Sequence, residues 1–350
     1  MNELHSNTHL NRNQTLILVE GKHEKGVLLT MLLRAFPEIP IRLENVHIYS
    51  TDIYDLYHAI EKEYGVEWYD EDDRIDVNLP LLISRREGLS PPLDNRVFTN
   101  VLLMFDFEHH DNNYSDDKVK RLQHHFSNAT EDGILYINYP MIEAYQHMER
   151  IPDPDYLARM ISISYGKGSD YKNLVKRNSA ICGLLGYYEK SYKRIKERAS
   201  QLPDSEAYSI REALMRLSDQ KTLYSDIETI LCESKVSKNE RRTLTHTLYQ
   251  EALELGYLAE GVNFWQKVRY TFSYIINQNI EKAWKIQQGM EYDTKKDRKT
   301  KFYELDWNAV LEKQLEEAGR AEGGMMWVLC TSIVFLGEYK FYWSEEMQKT

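Results

Sequence analysis

Cysteine is scarce in this sequence. Cys182, Cys232 and Cys330 stand far apart and no CxxC pair occurs, which excludes a disulfide frame and a cysteine zinc module and suits a reduced, cytoplasmic chain. No window of 18 or more apolar residues is present, so no segment has the character of a membrane-spanning helix. The opening MNELHSNTHLNRNQ is polar and lacks the apolar core of a secretory signal. It reads as a flexible tail over 1–14. A surplus of positive charge is also missing. The formal net charge is −11, which argues against a chain that coats nucleic acid by neutralising phosphates alone. It leaves room for an enzyme whose acidic pocket binds cations that then meet phosphates. No GxxxxGK[ST] phosphate loop occurs, so the chain is not itself a P-loop ATPase.

The 350 residues suit two domains, and 42% hydrophobic with 28% charged residues marks a globular chain. In the first half, short apolar runs at 15–20, 46–50, 100–108 and 133–140 alternate with helical spacing at 23–36, 53–65 and 115–126, the last with Ser115 as its cap. Strands separated by helices predict an α/β domain with a parallel sheet over 15–150. Residues 66–98 break the rhythm and read as an insertion or long connection. IPDPDY (151–156) is a natural linker, and beyond it the strand signals disappear. Helices are expected at 155–164, 171–200, 204–220, 222–234, 237–256, 262–289, 305–320 and 323–339. They would make a mostly α-helical domain over 151–350 for partner or substrate binding.

Chemistry concentrates where strands end. TLILVE ends its aliphatic run on Glu20, and NVLLMFDFE ends on Asp106 and Glu108, followed by Asp111 in FEHHDNN. At spacing i, i+2 an extended backbone puts Asp106 and Glu108 on one face. In a parallel sheet, sites form outside the carboxyl ends of strands. Like charges a few ångströms apart repel unless something neutralises them. Mg²⁺ or Mn²⁺ is the natural neutraliser, being a hard cation that takes oxygen ligands and leaves places for water and phosphate.

VEGKHE (19–24) with LLMFDFEHHD (102–111) resembles the TOPRIM fold of type II topoisomerases, bacterial primases, small RNA-maturation nucleases and the overcoming-lysogenization-defect nucleases. That family carries a glutamate after its first strand and a DxD after its third, and binds Mg²⁺ there. The resemblance implies metal and catalytic roles for Glu20 and Asp106. Glu108 stands where the family has its second aspartate, a departure one methylene longer. The EGxxE form looks like the nuclease branches, which implies Glu24 as a ligand to a second metal. Lys22 is placed to approach a phosphate. NYPMIEAY resembles a segment of phage-defence TOPRIM proteins, making Asn138 and Glu143 outer members of the site; Glu143 is equally an acid favouring a helix dipole. The helical half and the missing phosphate loop together look like the TOPRIM effector of two-gene abortive-infection systems, in which a separate ATPase is the sensor.

These resemblances imply a metal-dependent nuclease acting on DNA or RNA, tRNA included, restrained by an ATPase partner and open to homo-oligomerisation. The alternative is a catalytically silent assembly subunit of an ATPase complex, which the DFE departure favours. Strand passage and primer synthesis have no supporting nucleophile or zinc motif. Adjacent His109 and His110 read as exposed loop residues before they read as ligands, and His124 and His125 as helix residues without chemistry. Three basic islands are candidate nucleic-acid contacts: Lys190, Lys193 and Arg194; Arg241 and Arg242; Lys295 and Lys296. The default reading of each is a solvated helix face.

Overall fold

The computed structural model of the chain describes residues 14–22, 24–69, 75–166, 168–289, 295–321 and 323–344. The tail expected over 1–14 lies outside the described residues, except Gln14, which already begins the first strand. Gln14–Val19 (β1), Val46–Ile48 (β2), Phe98–Asp106 (β3), Ser127–Asn128 (β4) and Gly133–Asn138 (β5) form one sheet in the order β2-β1-β3-β5-β4. β2, β1, β3 and β5 run parallel, and the two-residue β4 is an antiparallel edge on β5. The molecule is therefore α/β, with a mostly parallel sheet and a helical C-terminal part. Leu16–Val19 and Val101–Phe105 are buried without alternation, as strands covered on both faces must be. Gly133 opens β5 at φ +123°, and a Cβ there would lie 2.9 Å from Leu103 Cδ1.

The chain leaves β1 for β2 on one side and then crosses back to β3 on the other. Right-handed crossovers place the intervening helices on opposite faces. One wide turn, Glu24–Leu29, leads into Thr30–Ala35 (α1) on one face. Ile53–Tyr64 (α2) and Asp116–His125 (α4) pack together on the other. Between them the 66–98 connection holds its own helix, Leu79–Glu87 (α3). Asp52 caps α2, its carboxylate accepting from Tyr54 and Asp55 N–H at 2.8 and 2.9 Å. Ser115 occupies the cap position of α4, but its side chain makes no capping bond; the acids Asp116 and Asp117 stand in the first turn instead.

The helical half comprises Gly168–Asn178 (α5), Cys182–Arg198 (α6), Asp204–Leu214 (α7), Leu223–Glu233 (α8), Lys238–Glu254 (α9), Phe264–Gln288 (α10), Arg298–Tyr303 (α11) and Trp307–Ala318 (α12). Four expectations change. The single helix over 171–200 is two, because Ser179 Oγ accepts from Ile181 and Cys182 N–H and starts a new helix. Residues 155–164 form short 3-10 turns around Met160–Ser162 (β6). Residues 323–339 begin as Met325–Trp327 (β7), antiparallel to β6, and continue into a 3-10 turn at Val334–Glu338. Helix α11 had no sequence signal. An apolar run buried on all sides carries no period, so a run such as 323–339 does not distinguish helix from irregular core.

The core does not part at residue 150. Tyr139, just past β5, exchanges backbone hydrogen bonds with Leu329 at 2.7 and 2.9 Å. Arg269 of α10 grips both carboxylate oxygens of Glu38 and the carbonyl of Ala35 at the end of α1. Lys282, fully buried on α10, donates to the carbonyls of Tyr156 and Arg159 at 2.7 Å each. Burial pushes its pKa well below the ordinary lysine value. No helix among the described residues is long and apolar enough to cross a membrane.

His147, 4% exposed, has its Nδ1 3.1 Å from the hydroxyl of Tyr171. Burial, then the cations Arg159 and Lys282, push its pKa down to about 4, against about 6.5 in an unfolded chain. Between those values the unfolded chain binds the proton and the folded chain does not, so stability falls as pH drops through that window. Urea midpoints at pH 7 and pH 5 should therefore show wild type losing on the order of 2 kcal/mol more than His147→Gln. Equal losses would remove His147 from the account.

Candidate metal centre

Because the strand order reverses around β1, the crevice between the carboxyl ends of β1 and β3 is the topological switch point of the sheet. Glu20 stands just past β1, its N–H donating to Met104 O at 3.2 Å and its Oε2 accepting from Asp106 N–H at 3.0 Å. Asp106 is the last residue of β3 and 6% exposed. Its Oδ1 accepts from the backbone N–H of Ile142 at 2.7 Å and the side-chain amide of Asn138 at 3.3 Å. The backbone does not stay extended beyond it. Phe107 N–H donates to Asn138 O, and Glu108 N–H turns back onto Asp106 O at 3.1 Å. That turn, rather than strand alternation, returns the Glu108 carboxylate to the cluster. Glu20, Asp106 and Glu108 each offer an oxygen, and the three lie within 4.8 Å of one another.

Burial, then the carboxylates of Asp52 and Asp111, push the Glu108 carboxyl above the usual range, while Lys172 and His110 pull it down. An unneutralised cluster of this kind is costly, and a divalent cation with hard oxygen ligands removes the cost. Around it, Tyr54 Oη, His109 Nδ1 and Glu143 Oε2 are buried polar atoms with no hydrogen-bond partner among the described residues. Tyr54 feels the charges of Asp52, Glu108 and Asp111, although burial is the main cause of its raised pKa.

The remaining expected ligands divide. Asp111 lies outside the close triad and accepts from Asn113 N–H at 2.6 Å, so it is a turn acid that adds negative field. Lys22 is exposed, two residues beyond Glu20. The side chain of Glu24 lies outside the described residues. His109 and His110 are half-buried rather than exposed; His110 Nε2 bonds Ile163 O, and His109 packs against Tyr114 at 4.5 Å. His125 is buried against Trp68 at 4.9 Å, a packing role.

Asn138 is fully buried at the end of β5. Its Nδ2 donates to Phe105 O and Asp106 Oδ1, both at 3.3 Å, and its Oδ1 accepts from Ser332 N–H at 3.1 Å and the Cys330 thiol at 3.3 Å. It positions Asp106 and pins the 330–332 segment beside it. Glu143, 8% exposed, follows the Ile142 amide that holds Asp106, and its Oε1 is 3.4 Å from Lys172 Nζ.

Two contributors were missed from sequence. Asp52 follows β2 at a third carboxyl end, so the strand-end rule that found Glu20 applies to it too. Lys172 has no such signal, because α5 reaches the site only through tertiary packing. The basic islands are partly occupied: Arg194 pairs with Glu251 and Glu197, Lys296 with Glu304, and Arg241 bonds Cys232 Sγ at 3.0 Å. Arg242 and Lys295 are exposed.

Compared with protein-family models, curated proteins and solved structures, the chain matches none.

Asn138→Leu keeps the bulk but leaves Ser332 N–H and the Asp106 carboxylate short of a partner, a loss of about 2–4 kcal/mol. Urea unfolding should show it; a change below about 0.5 kcal/mol would mean that Asn138 does not brace Asp106.

Proposed function

We propose that this chain is a metal-dependent nuclease of the TOPRIM type, hydrolysing phosphodiester bonds of DNA or RNA. The observation that carries the reading is the convergence of Glu20, Asp106 and Glu108 within 4.8 Å at the switch point of a parallel sheet. Three carboxylates of mixed burial, one with a raised pKa, are a donor set that fits Mg²⁺ or Mn²⁺. A divalent ion held there would supply the positive charge that phosphodiester hydrolysis requires. The chain's own part is to hold the ligands. Asn138 and the Ile142 amide fix Asp106, the Asp106 amide fixes Glu20, and the turn at 106–109 presents Glu108.

The resemblance of VEGKHE and LLMFDFEHHD extends the proposal to a cytoplasmic effector of anti-phage defence. A separate ATPase then supplies the nucleotide switch that this chain, without a phosphate loop, does not carry.

Purified chain should cut plasmid DNA or total cellular RNA only with Mg²⁺ or Mn²⁺, and Asp106→Ala should lower the rate roughly 100-fold or more. Metal binding by calorimetry without cutting would describe an enzyme awaiting its partner. No metal binding at all would overturn the nuclease in favour of a silent assembly subunit.

A further inference from the structure

Positive charge in this acidic chain is not spread evenly. Residues 168–198, which include α5 and α6, carry eight Lys or Arg against three Asp or Glu, a surplus of five in a chain of net charge −11. The 294–301 island is largely spent on internal pairing. In 294–301, Lys296 pairs with Glu304, while Arg298 and the buried Lys301 close on Glu281 at 3.5 and 2.6 Å. In 235–242, Lys235 pairs with Glu206 and Arg241 bonds Cys232, while Lys238 and Arg242 are exposed on α9. On α5 and α6, Lys172, Arg194 and Lys196 are paired, and Lys176, Lys190 and Lys193 are exposed and form no ion pair with a described residue.

The placement of these lysines matters more than their number. Lys172 opens the series, 3.4 Å from Glu143 and close enough to Glu108 to act on it. Lys176 lies one helical turn further along α5. Cys182, the first residue of α6, bonds Gln146 Oε1 at 2.9 Å on the same 3-10 turn that carries Glu143. Lys176 and Lys190 both act electrostatically on that thiol. Lys190 and Lys193 then line, together with Arg194, Glu197, Glu251 and Glu254, a cleft of about 550 Å³ between α6 and α9. The cations thus succeed one another outward from the acidic cluster, through α5 and onto α6.

We propose that the α5–α6 arm is the surface that binds the sugar–phosphate backbone of the substrate and leads it to the acidic cluster, with Lys176, Lys190 and Lys193 as its phosphate contacts. This rests on the nuclease reading of that cluster. A polyanion approaching a chain of net charge −11 is repelled by most of the surface, and a local cationic arm beside the site resolves the conflict. Exposed lysines suit it because they contact phosphate as point charges without reading bases.

The test is fluorescence anisotropy of the full chain with labelled 20-nucleotide single-stranded DNA, single-stranded RNA and duplex DNA, in EDTA. Leaving out divalent metal separates the arm from the cluster. The charge-reversed variant K176E/K190E/K193E should bind the preferred polymer at least ~10-fold more weakly, with a salt slope lower by roughly 2. The control K238E/R242E, on the α9 island, should stay within about 2-fold. Circular dichroism melting checks that both variants fold. Whichever polymer wild type binds most tightly identifies the backbone the arm takes. Unchanged binding by the triple variant, an equal loss in the control, or no binding of any probe would overturn the proposal. So would displacement by poly-L-glutamate as effective as by the oligonucleotide at equal charge, which would make the arm a surface for an acidic polypeptide. The failures are distinct: a weakened triple variant whose wild type never cuts with Mg²⁺ keeps the arm and removes the nuclease. Metal-dependent cutting with unchanged binding does the reverse.

Discussion

A carboxylate buried at the end of a strand has to be held by donors, and the holding of Asp106 draws in segments that are far apart along the chain. Its Oδ1 takes the Ile142 amide and the Asn138 side chain, and its own backbone N–H holds Glu20. Asn138 can face Asp106 with its amino group because its oxygen is taken by Ser332 and Cys330. β1, β3, β5 and the 330–332 segment are thus joined through one side chain of each polarity. Buried polar networks of this kind are valuable when complete and expensive when broken. This one is completed by residues that read, from sequence, as part of a separate helical half.

The same constraint explains why the two halves share a core. A parallel sheet needs cover on both faces. The first half supplies α2 and α4 for one, but only the short α1 for the other. α10 and the 329–343 segment complete that face, with Arg269 clasping the end of α1 and Tyr342 donating from beneath to Asn277 at 2.8 Å. Division of labour by charge runs across the same boundary. Acids gather at strand ends and the exposed lysines Lys176, Lys190 and Lys193 on α5 and α6, while many of the ion pairs are local, exposed contacts worth little individually.

Sequence made the parallel sheet legible because alternation of apolar runs and helical spacing survives without tertiary context. Glu20 and Asp106 were legible for a related reason: an acid directly after an aliphatic run at a strand's carboxyl end is locally anomalous. Glu108 was found for a geometry it does not have, since a turn rather than an extended strand delivers it. Asp111, expected as a ligand from its neighbourhood, stands outside the close triad, and Lys172 was invisible because contact between α5 and the site is set by packing. The 323–339 segment misled in the opposite direction. Its continuous apolar character, which reads as a buried helix, reflects burial on every side of an irregular path.

The partner of Asn138 in that path lies 194 residues downstream, at Ser332. On a ribosome adding roughly 5–20 residues per second, that separation is a delay of roughly 10–40 seconds. During it the residues of β1 and β3 have already been made, but the amide that steadies Asp106 has nothing to hold its oxygen. Maturation of the acidic cluster is therefore tied to synthesis of residues 330–332. A chain released early, before residues 330–332, would carry all three carboxylates without the brace that sets them.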